Sequence, residues 1–177
     1  MNFHNDSGGL MVAVEDIVAA RGRAFQPSDS VKDPRALVPE EVFNLLVDDI
    51  IRYNHVTRAY AERLMGQALV FLKAHADLIK DAAENPDAWV RIVPSVPVDE
   101  GWHAFLKRTK PYHEFGMTHA GAYLHHVPVV DADILSGAAL ERTVPILRAT
   151  GYHVDMEFWE AGVGAGCCPP ECSTIGD

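Results

Sequence analysis

Thr57–Ile79, "TRAYAERLMGQALVFLKAHADLI", decides the fold class. Its apolar residues Ala61, Leu64, Met65, Ala68, Phe71, Leu72, Ala76 and Ile79 recur at three- and four-residue steps. That is the period of one face of an α-helix. Thr57 suits the cap, since its hydroxyl can accept from a free first-turn amide, and Pro86 stops the run. This is the longest helix the chain predicts.

The same period appears on both sides. Upstream, Phe43, Leu46, Val47, Ile50 and Ile51 predict a helix starting near Pro39, with Glu40 and Glu41 at its positive end and a break at Asn54-His55. Downstream, "AWVRIVPSVPV" carries two prolines and reads as an extended connector rather than a central strand. Two shorter helices follow, one from Asp99 toward Arg108 and one from Thr109 and Pro111 to about Gly121. "AYLHHVPVV" is extended, Ala138–Thr150 is helical through Leu140, Val144, Ile146 and Leu147, and "YHVDMEFW" is a short last element. Part of residues 10–20 suits a short helix, and "QPSDSVKDPRALVP" reads as a linker.

The expectation is a mainly α protein, a single compact domain of about five to six helices with extended connectors and an irregular cysteine-bearing tail. An N-terminal segment covers 1–38, the helical domain 39–160 and the Gly/Cys tail 161–177. The 177 residues suffice for one well-filled core. A formal charge of −10 argues against nucleic acid and an anionic membrane as partners, because both attract a basic face. A small molecule or a protein remains as the partner. No apolar run reaches bilayer length and no secretory pattern opens the chain, so a cytoplasmic location is expected.

Val98–Pro128 holds five of the nine histidines. Asp99 and His103 are four apart and Glu100 and His103 three apart, so either carboxylate can share a helix face with the imidazole. Asp99 at a helix start is also a candidate cap for the free amides of the first turn. Trp102 and Phe105 should face the core, opposite Glu100, and pin the helix. In His125-His126 an extended backbone points one ring inward and the other out, and Pro128 favours that backbone. His113 and His119 suit a helix surface or its C-terminal end. One Glu-x-x-His copy is too few for a di-iron bundle, which leaves a mononuclear site or a hydrogen-bonded carboxylate–histidine pair.

The candidate metal ligands are therefore His103, His125, His126 and Asp99, with Glu100 as an alternative ligand and Trp102 and Tyr112 as supports. Two imidazoles and a carboxylate suit iron; adding thiolates from Cys167, Cys168 or Cys172 would shift the preference to zinc. The tail alone is short of the four ligands of a structural zinc site.

The segment from Pro94 to Pro128 resembles the bacterial glycine-rich domain-containing-protein-like family. It carries Pro94, Ser95, Val98, Asp99, Gly101, Trp102, His103, Thr109, Tyr112, Phe115, Gly121, His125, His126 and Pro128 at that family's pattern positions. A weaker likeness extends over most of residues 40–172. One departure is Gly116, where relatives commonly carry cysteine. The resemblance implies that Asp99, His103, His125 and His126 belong to a shared pattern and implies no activity. Three functions follow as expectations. The first is a metal-binding protein, with catalysis left open. The second is a helical interaction or regulatory module whose histidines are structural. The third is a leader joined to a modified cysteine tail.

Overall fold

A computed structural model describes residues 31–127 and 132–160. They are mainly helical, as the apolar spacing predicts. The helices are α1 (Glu40–Asn54), α2 (Arg58–Glu84), α3 (Val96–Leu106), α4 (Thr109–His119), α5 (Ala132–Leu135) and α6 (Ala138–Ala149). Among the described residues no helix is long and apolar enough to cross a membrane.

α2 is the spine, against which α1, α3, α4 and α6 all pack. The Thr57 hydroxyl accepts from the Tyr60 amide at 3.3 Å, and the helix ends at Glu84, two residues before Pro86. Leu64, Ala68, Phe71 and Leu72 are buried, together with the intervening Leu69 and Val70. A helix buried on most of its circumference is central rather than a surface element. α1 ends on His55 in the left-handed region (φ 54°), the break expected after Asn54. Gly121 (φ 71°) follows α4, and Gly151 (φ 77°) follows α6.

The structure corrects two local expectations. Residues Pro34–Leu37, inside the stretch read as a linker, form a 3-10 turn capped by Asp33, with Pro34 and Leu37 buried. Lys32 also pairs with the segment after α6: its amide donates to Gly151 O and its carbonyl accepts from His153 N, both at 3.0 Å. α3 starts at Val96 rather than Asp99, because Pro97 fits a first turn that Ser95 precedes.

Two buried polar groups fix the frame. Gln67 donates to His153 O at 3.1 Å and accepts from Asp155 N at 3.1 Å and Trp159 Nε1 at 2.9 Å, tying the last described segment to α2. Arg108, between α3 and α4, grips Asp49 of α1 with two nitrogens at 2.7 and 2.8 Å. That guanidinium holds the Asp49 carboxyl below its usual range.

Candidate metal centre

Asp99 lies one turn into α3, and its amide already bonds to Ser95 O at 2.9 Å. Its carboxylate is buried and accepts from His126 Nε2 at 3.1 Å. The side chain is therefore not a cap, contrary to that expectation. Its first interaction is with an imidazole 27 residues away.

His103, one turn further along α3, brings Nδ1 to 3.9 Å from the second Asp99 oxygen. The two imidazole centroids are 4.7 Å apart. One ligand atom from each of Asp99, His103 and His126 lies within 4.8 Å of the other two. Bonds of roughly 2.0–2.2 Å to a tetrahedral ion would place ligand atoms about 3.4 Å apart. The ligand atoms, all within 4.8 Å of one another, must close in by up to about 1.4 Å to reach that spacing. Side-chain exposure rises from Asp99 (7%) through His126 (11%) to His103 (28%), so the carboxylate is the inner group and His103 the outer one.

His126 is held by a relay of buried groups. Trp102 Nε1 donates to the Tyr112 hydroxyl at 2.9 Å, which donates to Leu124 O at 2.7 Å. The extended segment is thereby fixed two residues before His126. The indole of Trp102 meets the His126 ring at a centroid distance of 4.3 Å. Tyr112 is fully buried, and burial raises its phenol above the ordinary range. Gly116 lets the segment approach α4: a Cβ there would fall 2.7 Å from Ala122 O and 3.4 Å from Leu124 N.

The remaining sequence candidates are placed elsewhere. His125 is exposed and packs on Tyr123 at 5.0 Å; it borders the cavity beside the site but stays outside the three-residue group. Residue alternation along an extended backbone separates it from its neighbour. Glu100 points away from the site and accepts from Asn54 Nδ2 at 3.4 Å, because one residue rotates a helix by about 100°. His119 meets Leu37 O at 3.3 Å, and exposed His113 lies against Tyr123. Cys167, Cys168 and Cys172 lie outside the described residues.

A cavity of about 330 Å³ adjoins Asp99 and His126, walled by Phe71, Trp89, Ile92, Val93 and Trp102 among others. It also contains His75, which sequence reasoning missed. His75 packs edge-on to Trp102 at 6.1 Å, and its Nδ1 is buried without a hydrogen-bond partner. Burial, with a smaller contribution from His126, pulls its pKa down to about 4, so the ring is neutral near pH 7. The available signal was the spacing Phe71-x-x-x-His75, which puts the imidazole on the same helix face as a core aromatic.

No protein family, curated protein or solved structure matches this chain. Functional inference therefore rests on the geometry.

Proposed function

We propose that this chain is a divalent-metal-binding protein whose ion is held by Asp99, His103 and His126. The convergence of one carboxylate and two imidazole ligand atoms within 4.8 Å carries this reading. Three protein ligands leave coordination positions for water or substrate, which is the arrangement of catalytic rather than structural sites. Two histidines and a carboxylate suit iron(II) or zinc. When bound, such an ion supplies Lewis acidity and a more acidic water. The chain's own part is orientation: the Trp102–Tyr112–Leu124 relay fixes the His126 segment, and α3 presents Asp99 and His103 one turn apart. The formal charge of −10 favours a small-molecule or protein partner over nucleic acid or an anionic membrane.

Elemental analysis of the full chain, purified without chelators, tests this. We expect stoichiometric iron or zinc, lost in His103→Ala and in His126→Ala and kept in His125→Ala. A metal-free protein whose melting temperature ignores added zinc and anaerobic iron(II) would refute it, since an ion binding only the folded form must stabilise it.

The direct 3.1 Å contact between His126 and Asp99 favours a second reading, in which the cluster is a hydrogen-bonded clasp between α3 and the 124–126 segment. In that case His126→Ala lowers stability equally with and without chelator, and no ion shifts the melt.

A further inference from the structure

We infer that the cavity beside Asp99 and His126 is a binding site for a small, uncharged aromatic molecule bearing an oxygen acceptor, such as an aryl ketone, with His75 as its anchor. Its volume, about 330 Å³, falls at the small end of ligand pockets, whose typical range is roughly 300–1,000 Å³. Its walls supply ring faces and edges from Phe71, Trp89 and Trp102, and ring pairs of that kind favour a flat aromatic guest.

His75 provides the polar contact. Its Nδ1 is shut away from solvent without a partner, although the residue lines the cavity. We assign the other ring nitrogen, Nε2, to the guest. An orphaned buried N–H is the costlier state, so the neutral ring places its proton on Nε2 and offers a donor to the cavity. A carbonyl oxygen satisfies that donor without adding a second negative charge beside the buried Asp99 carboxylate. The exposed Trp89 marks the entrance. Trp102 touches both His75 and His126, at 6.1 and 4.3 Å between centroids. The same indole thus borders both the anchor and the proposed metal centre. The site itself needs no ion, so its test is independent of the metal reading.

The experiment uses the full chain stripped with chelator. Acetophenone, toluene and benzoate are titrated by calorimetry, and each is added to thermal melts. Acetophenone is expected to bind and to raise the melting temperature, with toluene about tenfold weaker for want of one hydrogen bond. His75→Phe keeps a ring in the wall and should reduce acetophenone binding about tenfold, to the toluene level. Ile92→Trp, at a partly exposed wall position, should abolish binding by filling the chamber and covers the case in which His75→Phe does not fold. Absence of acetophenone binding overturns the proposal, as does equal affinity for toluene. Because Arg91 also stands in the wall, benzoate binding tighter than acetophenone and unaffected by His75→Phe would make Arg91 the anchor and overturn the role given to His75.

Discussion

Gly116→Ala separates packing from helix propensity at the site's least forgiving contact. In an exposed helix interior, replacing glycine by alanine stabilises by about 1 kcal/mol. At Gly116 the new methyl would sit 2.7 Å from the Ala122 carbonyl oxygen, a backbone atom that cannot rotate aside. Segment 122–124 must then move outward, taking Leu124 O away from the Tyr112 hydroxyl that now holds it at 2.7 Å. Overpacking costs about 1–3 kcal/mol and a weakened buried hydrogen bond about 1 kcal/mol. After the propensity gain, the expected net loss is about 1–3 kcal/mol, a fall of about 3–10 °C in melting temperature for a chain of this size. The control is Gly66→Ala on α2, where the nearest atom would be Pro34 Cβ at 3.5 Å, an ordinary contact. There the same substitution should be neutral or stabilising by up to about 1 kcal/mol. Urea denaturation of both variants gives the two signs. A Gly116→Ala protein as stable as the parent would show that the 122–124 segment does not lie against α4, and the placement of His126 would fall with it.

Three further outcomes follow from single contacts. Tyr112→Phe removes the hydroxyl between Trp102 Nε1 and Leu124 O and leaves both buried groups unpaired. It should cost about 2–4 kcal/mol in urea unfolding and weaken metal binding although no ligand is changed. Thr143→Val leaves the Val93 amide without the hydroxyl it donates to at 3.0 Å, and removes the proton that Val93 O and Ala139 O share at 3.0 and 2.9 Å. It should cost about 2 kcal/mol and loosen the wall of the cavity, read as faster hydrogen exchange at the Val93 amide. His75 has a folded pKa of about 4, below its unfolded value near 6.5, so the unfolded chain takes up the proton first. The stabilising contribution is complete above pH 6.5 and lost as pH falls toward 4, by at most about 3 kcal/mol. A His75→Phe protein should lack that part of the acid sensitivity; identical stability profiles from pH 7 to 4 would contradict the burial of the ring.

The helices were readable because each buries a continuous stripe, and a stripe leaves its period in the sequence. Thr57, Asn54-His55 and Gly121 mark ends that the structure reproduces. The Asp99–His103 face was readable for the same reason, since it needs only the spacing of one helix. Other features depend on segments meeting in space. His75 sits on α2, 24 residues before Asp99, among Ala74, Ala76 and Leu78, and its local pattern is that of any core helix. Whether His125 or His126 turns inward depends on where Tyr112 ties Leu124, a tertiary contact that alternation cannot specify. The Pro34–Leu37 turn has linker composition and is ordered by Leu37 entering the core and by the pairing of Lys32 beside Tyr152.

Two buried carboxylates differ in the groups that face them. Asp49 and Asp99 are almost equally hidden, at 6% and 5% exposure. Asp49 faces a guanidinium through two short bonds, which is the full charge that a buried carboxylate requires. Asp99 lies on the neighbouring helix, yet among the described residues its ion-pair partners are the imidazoles of His126 at 3.1 Å and His103 at 3.9 Å. Neutral imidazoles offer one hydrogen bond each and no formal charge. Either a proton taken up by this cluster or a cation between the three side chains can balance the carboxylate. A divalent ion satisfies both ring nitrogens and an Asp99 oxygen at once, whereas a single proton serves one pair. Metal and protons compete for the same ligand atoms, so the affinity for zinc should fall as pH drops. Zinc titrations at several pH values would measure that competition, and an affinity independent of pH between 5 and 8 would mean that these imidazoles are not the ligands.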